Sequence, residues 1–222
     1  MKKIITTLLS VLVVTAAFSQ ELKDIAKERK EIIKLSKTEL NAKSTKDARK
    51  EASKLKKEGW TTTPGALPID NQLDKSYLMQ YEFDENMFPK YIMAEAMSIG
   101  ENYDGARVQA TELAKLNLAG QMQSEITALV ENTVANSQLT ADEAATVTKS
   151  ITASKNTISQ SLGRVIPVVE VYRTLKNKNK EVLVRLAYNS EMAKNVVKKA
   201  VRKDLETKGE ELHGKLDKLL NW

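Results

Sequence analysis

Apolar residues recur at every third or fourth position over Asn102–Val130, which predicts the longest amphipathic helix in the chain. Its first half has a small, alanine-rich face and its second half a bulkier aliphatic one. These positions are Ala106, Ala110, Leu113 and Ala114, then Leu118, Met122, Ile126 and Leu129. Because small side chains allow a close approach, we expect the first face to lie on a sheet and the second on another helix. A coiled-coil or partner-docking face is the alternative.

Apolar and polar residues alternate in three other stretches, at about 90–99, 163–175 and 180–188, which predicts three β-strands. The last two are separated by a short Asn-Lys-Asn turn and should form an antiparallel hairpin. Across this hairpin Glu170 and Arg185 are expected to form an ion pair. Pro167 lacks a backbone N–H, so its end of the strand should be an edge or a bulge.

The first predicted strand has two distinct faces. One consists of Tyr91, Met93, Glu95, Met97 and Ile99, and the other of Ile92, Ala94, Ala96 and Ser98. We expect Ala94 and Ala96 to receive the alanine-rich face of the long helix. Glu95 is a candidate buried carboxylate in an otherwise apolar row, although a solvated glutamate at a strand edge is the favoured interpretation.

Three further helices are predicted around these strands. A short one lies within Ile69–Phe83, on the spacing of Leu73, Tyr77, Leu78 and Tyr81. A second begins at a capping box, Thr140 to Glu143, and ends at Gly163. The last begins with Ser190 as its N-cap, and its stripe consists of Ala193, Val196, Val197, Ala200, Val201 and Leu205.

Lysine and glutamate dominate Glu21–Glu58, and the thin apolar stripe there predicts one long charged helix. It is either continuous or broken around Asn41–Thr45, where Ser44 or Thr45 would cap the restart. Gly59 should end it. Trp60 in the following loop is expected to anchor that loop to the domain. The alternative is an exposed residue that takes part in an interaction.

These elements predict an α+β fold: a small antiparallel sheet of about three strands covered by a helical hairpin and a C-terminal helix, preceded by a long charged N-terminal helix. The predicted organisation is a signal peptide at 1–19, a lysine-rich helical extension at 20–58 and a loop with a short helix at 59–89. An α+β core domain follows at 90–208, and an amphipathic helical tail at 209–222.

The N-terminal segment has the pattern of a secretion signal. Lys2 and Lys3 precede the apolar run Ile4–Phe18, which is too short for a stable membrane span. Small residues before the junction predict cleavage between Ser19 and Gln20. A signal anchor is the alternative. No second apolar run follows that could cross a membrane, so we expect the mature chain to be exported.

Charge and cysteine content narrow the function classes. The net charge is +6, and most of the positive excess lies in the lysine-rich segment and the C-terminal helix. Such ends could meet anionic lipid, cell-wall polymer or acidic partners. The absence of cysteine excludes a disulfide scaffold, thiol chemistry, cysteine-ligated zinc and a lipidated N-terminal cysteine.

Few residues have a pattern typical of catalysis. The single histidine, His213, lies among acidic residues on the predicted tail, and one histidine there makes a poor metal site. There is no glycine-rich phosphate loop and no nucleic-acid platform, and we expect no cofactor, no metal and no nucleic acid. An enzyme would need a polar pocket built near Glu95, Glu170, Arg164 and Arg185.

Three segments carry a resemblance to known proteins. The loop GW…PGALP within Gly59–Pro68, the turn IGENYDGA at Ile99–Ala106 and the junction AYNSEMA at Ala187–Ala193 are similar to those of uncharacterised secreted proteins of gut Bacteroidales. The order of elements over Lys90–Leu205 more distantly resembles the membrane-associated envelope lipoproteins of the Helicobacter type. The resemblance implies a Gram-negative envelope protein of structural or interaction type. Lipid anchoring does not carry over, because the lipidated cysteine is missing.

We therefore expect a non-enzymatic exported envelope protein that acts in protein interaction or assembly, in the periplasm, at the outer membrane or outside the cell. The alternative is a protein that binds an anionic surface, lipid or cell wall, through its lysine-rich terminal helices. An enzyme is the third hypothesis. No particular oligomeric state is favoured, and function is expected at the charged ends and the Trp60 loop.

Overall fold

The computed structural model describes residues 27, 30–31, 43–85, 87–135 and 139–207. Lys27, Lys30 and Glu31 are helical. The predicted signal peptide with its Ser19–Gln20 junction, most of the helical extension before residue 43 and the tail with His213 lie outside the described residues.

From residue 43 onward the described part of the chain contains six helices and three strands. The helices are α1 (Lys46–Lys57), α2 (Ile69–Gln80), α3 (Tyr103–Ala135), α4 (Ala141–Ala153), α5 (Lys155–Ser161) and α6 (Ser190–Thr207). The strands are β1 (Tyr91–Gly100), β2 (Ile166–Thr174) and β3 (Lys180–Asn189). The α+β prediction with three antiparallel strands is confirmed. None of the described helices combines the length and apolarity that a bilayer crossing takes.

The sheet has the order β1-β3-β2, with both pairs antiparallel. The β2–β3 hairpin is present as predicted, and Lys178 in its turn has a φ of 69°. A bulge lies between Pro167 and Val169, and it breaks the alternation along β2. Val168 therefore packs with Ala187 on the same side of the sheet as Val169, although the sequence pattern placed them on opposite sides.

The first half of α3 lies on one face of the sheet. Ala106, Ala110 and Ala114 are fully buried, and Ala94 of β1 belongs to the same apolar cluster. The approach is close, because a Cβ atom added at Gly100 would lie 3.0 Å from the backbone nitrogen of Ala106. The predicted contact of the alanine face with a sheet is confirmed. Leu113 was wrongly assigned to that face; it lies at its margin and is 39 % exposed.

The second half of α3 packs on helices. Leu118, Met122 and Ile126 are buried in one cluster with Val147 and Ile151 of α4, as the bulkier stripe predicted. α6 joins this cluster through five residues of the predicted stripe, and these are Ala193, Val197, Ala200, Val201 and Leu205.

One predicted helix boundary is present in the structure, and two differ from the sequence prediction. The capping box at Thr140 is formed by both of its hydrogen bonds. The predicted single helix up to Gly163 is instead two helices, broken at Ser154, whose hydroxyl donates to the Ser150 carbonyl at 2.7 Å. The last helix is capped by Asn189 rather than Ser190, because the Asn189 side chain accepts from the Met192 N–H at 3.0 Å. Ser190 donates its hydroxyl to the Pro89 carbonyl instead.

The other face of the sheet is covered by α1, the loop at 59–68 and α2. A second apolar cluster forms there from Ala48, Ala52, Trp60, Ile69, Leu73, Val169 and Val171. Thr45 caps α1, and its side chain accepts from the Ala48 N–H. The compact unit thus begins at Ser44, so residues 44–58 pack against the sheet and the predicted extension boundary at 58 falls inside this unit. In α2 the apolar stripe differs from the prediction, since Leu78 and Tyr81 are exposed.

Candidate functional site

The polar residues predicted to meet in an active-site pocket lie on different faces of the sheet. Glu170 stands opposite Val184 in the hairpin and Arg185 opposite Val169, so the predicted Glu170–Arg185 pair is wrong. Arg185 faces α2 and pairs with Glu95, with 2.7 Å between Nη2 and Oε2. Arg164 is exposed before β2. The favoured interpretation of Glu95 as a solvated residue is correct.

Glu170 lies under α3, where it accepts a hydrogen bond from the Tyr103 hydroxyl. Burial raises the pKa of Tyr103, and the Glu170 carboxylate raises it further. The Tyr103 ring also meets Tyr172 edge to face, with 5.1 Å between centroids. Because this tyrosine stays protonated and ring-packed, the cluster ties the start of α3 to β2.

Trp60 lies in the second apolar cluster with only 5 % of its surface exposed. The Arg173 guanidinium carbon lies 4.6 Å from the ring centroid, close enough for a cation–π contact. Trp60 is therefore buried, as the anchor interpretation expects, and not exposed as in the alternative. The adjacent Thr61 exchanges both backbone hydrogen bonds with Tyr172, at 2.8 and 2.9 Å.

The two edges of the sheet differ because of that loop. On β2, Thr61 occupies the outward backbone groups of Tyr172, and the Gln72 side chain accepts from the Glu170 N–H at 2.7 Å. On β1, one partner is present among the described residues: the Asn117 side-chain amide donates to the Glu95 carbonyl at 2.9 Å. The β2 edge is thus closed and the β1 edge is largely open.

A groove runs along the open β1 edge. One part, of about 550 Å³, lies between β1 and α3 and includes Lys155 in its wall. A second part, of about 610 Å³, continues toward α2 and shares Glu95, Gln121 and Glu125 with the first. The α3 wall is a polar stripe, defined here as Asn117, Gln121 and Glu125, which recur every fourth residue and so share one side of the helix.

Three glutamates and two cations line the groove, namely Glu51, Glu95, Glu125, Lys155 and Arg185, and Arg185 is paired with Glu95. Desolvation raises the pKa of the Glu125 carboxyl, and the positive charge of Lys194 lowers it in part. At the α2 end, the Tyr77 hydroxyl donates to Glu51. Burial, followed by this carboxylate, raises the pKa of Tyr77 to about 12. Glu95 and Glu51 thus have partners within the protein, and the α3 wall of the groove presents amide groups and the Glu125 carboxylate, which suit a hydrogen-bonding ligand with a basic group at that one point.

Next to the groove lies an exposed apolar surface that the sequence patterns did not single out. It comprises the segment Tyr81–Lys90 together with Leu78 at the end of α2, and both parts are called here the apolar loop. Five large side chains are exposed there: Leu78 by 68 %, Tyr81 by 70 %, Phe83 by 42 %, Met87 by 75 % and Phe88 by 64 %. Leu78 and Tyr81 had been assigned to the stripe of a predicted helix. The signal available in the sequence for the rest was the pair Met87 and Phe88, two large apolar residues between that helix and the first predicted strand.

Hydrogen bonds hold the apolar loop in a hairpin. The Asp84 N–H donates to the Phe88 carbonyl at 2.8 Å, and the Phe88 N–H donates back to the Asp84 carboxylate at 2.8 Å. The Lys90 N–H donates to the Glu82 carbonyl at 2.8 Å, and the two side chains form an ion pair of the same length. The exposed side chains are therefore presented on an ordered support.

The part of the chain that the structure describes contains no group of three or more His, Cys, Asp or Glu side chains that could hold a metal ion. Comparison of the chain with protein-family models, with curated proteins and with solved structures finds no match.

Proposed function

We propose that this protein is a non-enzymatic exported envelope protein that acts in protein interaction or assembly, and that a protein partner docks on the apolar loop. The observation that carries the proposal is the exposure of Leu78, Tyr81, Met87 and Phe88, each between 64 % and 75 %. Contiguous apolar surface of this kind on a folded protein usually marks an interaction site. Aromatic residues and methionine are also the types enriched in protein interfaces.

The hairpin supports this assignment because hydrogen bonds between Asp84 and Phe88 and between Glu82 and Lys90 are already formed without a partner. A loop already held by hydrogen bonds loses less conformational entropy on binding than a mobile one. Its tip carries Asp84 and Glu85, and negative charge there opposes insertion into an anionic membrane. A protein surface with an apolar pocket and a basic rim fits both properties. Export to the envelope rests on the N-terminal signal pattern and on the resemblance of the chain.

The test is site-specific photocrosslinking in the native host. Phe88 is replaced by p-benzoylphenylalanine, and Lys178 in the β2–β3 turn, which is exposed but polar, receives the same group as a matched control. We expect a discrete cross-linked partner from position 88, identified by mass spectrometry, and none from position 178. The companion variant Phe88→Ser should abolish the complex without lowering the melting temperature. Equal cross-linking from both positions, or an unchanged complex with Phe88→Ser, would refute docking on this loop.

A second candidate function, the binding of an anionic lipid or cell-wall surface, is favoured by α1. Its solvent side carries Lys46, Lys50, Lys54, Lys56 and Lys57, all exposed. This function predicts cosedimentation with phosphatidylglycerol vesicles that weakens as salt is added. Replacing Lys50 and Lys54 by glutamate should then abolish sedimentation while Phe88→Ser leaves it intact, whereas docking on the apolar loop predicts no vesicle binding.

A further inference from the structure

We propose that the partner also contributes an extended segment that pairs with the open β1 edge as a fourth strand. In the free protein, the Asn117 side-chain amide donates to the Glu95 carbonyl. In the complex, a backbone N–H of the added segment would donate there instead. This proposal rests on the proposed protein-interaction function and names the chemistry of the segment: alternating apolar and polar residues, with a lysine or arginine facing Glu125.

The register of the sheet determines which backbone groups of β1 are available. Asn117 donates to the Glu95 carbonyl from outside the sheet, so Glu95 belongs to the set of β1 residues whose backbone groups point away from β3. In an antiparallel strand these groups alternate, so Met93, Met97 and Ile99 also turn their N–H and C=O groups outward. Among the described residues, no group forms a hydrogen bond with the outward N–H or C=O of these three residues.

An exposed strand edge with unpaired backbone groups is a template for another strand. β1 has ten residues, which gives an edge of about 33 Å at roughly 3.3 Å per residue. The β2 edge is the poorer template, because Thr61 already pairs with both backbone groups of Tyr172 and the Gln72 side chain already accepts from the Glu170 N–H. Among the described residues, the β2 edge is thus more fully covered than the β1 edge, where Asn117 is the one partner present.

Side chains on the two faces of β1 determine the sequence that fits. A fourth strand would place alternate side chains beside Met97 and Ile99, which are 53 % and 51 % exposed. Its remaining side chains would face the polar stripe on α3, where a basic group complements Glu125. A second copy of the chain fits less well, because its own β1 strand, Tyr91–Gly100, has no lysine or arginine that could face Glu125.

The probe is a synthetic peptide of alternating valine and lysine, as long as β1, with a fluorophore at its N-terminus. Binding to the purified protein is followed by fluorescence anisotropy at physiological ionic strength. A peptide with glutamate in place of lysine tests whether binding needs a positively charged side chain. A peptide with proline at alternate positions tests the need for backbone N–H groups. We expect binding of the valine–lysine peptide alone. Equal binding of the proline peptide would overturn strand pairing.

The matched protein variants are Met97→Pro and Met97→Ala. Proline removes an outward N–H without removing a β1–β3 hydrogen bond, and alanine keeps the N–H while shortening the side chain. We expect Met97→Pro to weaken binding by about tenfold or more, the loss of at least one strand hydrogen bond. Met97→Ala should retain most of the affinity. Glu125→Gln should weaken binding by about 1.5- to 5-fold, as for an exposed ion pair. Equal effects of the two Met97 variants would contradict the proposal.

Hydrogen exchange on the unmodified protein gives a second measurement that does not depend on whether Met97→Pro folds. The peptide should slow exchange at the amides of Met93, Met97 and Ile99 and leave the amides of β2 unchanged. Binding without this protection would overturn the proposal, as would a self-associating β1 edge that excludes the peptide. If strand pairing fails while cross-linking from Phe88 persists, the edge proposal falls and the proposed function stands. Loss of cross-linking from position 88 would instead refute the proposed function.

Discussion

Replacement of Trp60 by alanine tests whether the segment before the predicted core domain is part of the fold. The indole is 5 % exposed and packs with Leu73 and Val171. An aromatic side chain of this kind buries roughly 150–250 Å², and at about 25 cal/mol per Å² this gives about 4–6 kcal/mol as an upper estimate. Measured losses for such truncations are about 3–5 kcal/mol, and we expect Trp60→Ala to fall in that range.

The assay is urea and thermal unfolding followed by far-UV circular dichroism. For a domain of this size, a loss of about 3–5 kcal/mol lowers the melting temperature by roughly 6–20 °C. Trp60→Phe is the matched control, since it keeps most of the packing and should lose clearly less. A double-mutant cycle with Arg173→Gln should show a coupling of about 0.5–2 kcal/mol from the cation–π contact.

An unchanged unfolding midpoint for Trp60→Ala would refute this reasoning. It would mean that α1 and its loop unfold separately from the sheet and add nothing to its cooperative transition. A loss of only the expected size in a single transition would instead confirm that the cooperative unit begins near Ser44, where the compact unit begins.

Three other predictions test separate parts of the fold. Ala110→Leu should destabilise the protein by about 1–3 kcal/mol through overpacking, while Val108→Leu, at a position 56 % exposed, leaves the melting temperature unchanged. Thr140→Ala should cost about 1 kcal/mol by removing the helix cap, and Thr140→Ser should not. The Ser44 hydroxyl donates to the Asp70 carboxylate at 2.7 Å and lowers its pKa below 3.8. Because the resulting stabilisation exists above that value and is lost as pH falls, Ser44→Ala should lower the melting temperature at neutral pH but not in strong acid, with the Asp70 pKa followed by NMR.

Local patterns were sufficient for the elements whose signal is short-range. The two faces of β1 follow from a period of two residues, and burial of Ile92 and Ala94 confirms them. The capping box at Thr140 and the cap at Thr45 each depend on residues within one turn. Such features need no knowledge of the rest of the chain, because the interacting groups are neighbours in sequence.

Features that depend on distant partners were not predictable in this way. The buried residues of α1 are only two small ones, Ala48 and Ala52. So narrow an apolar stripe does not by itself predict a core contact, which becomes apparent only when Trp60 and Leu73 are known to pack against it. The break at Ser154 places its hydroxyl toward the Ala200 carbonyl at 3.5 Å, a contact with another helix. Local hydroxyl chemistry permits the break, but the neighbouring helix determines where it occurs.

The candidate site escaped prediction for a related reason. Which edge of a sheet is open depends on strand order, and no pattern within β1 shows that Arg185 of β3 stands beside Glu95 rather than Glu170. The bulge at Val168 adds to this, because one extra residue changes which side chains face α2. The residues Met87 and Phe88 were visible as composition, but their exposure depends on the tertiary structure and could not be read from the sequence.

The lengths of β1 and α3 explain why the groove exists. The ten residues of β1 span about 33 Å and the 33 residues of α3 about 50 Å, so the helix extends beyond the sheet on which its alanine face rests. Past Ala114 its apolar side turns toward α4 and α6, and Asn117 to Glu125 remain on the side next to the open edge. The rotation of the apolar side that the sequence shows is therefore the point where the apolar residues of α3 turn from the sheet to the neighbouring helices, while the helix still runs beside β1 and Asn117 reaches the Glu95 carbonyl. A strand added to β1 would lie beside this polar stripe, and an alanine face continued there would have left the α3 wall of the groove without a polar group to select the ligand.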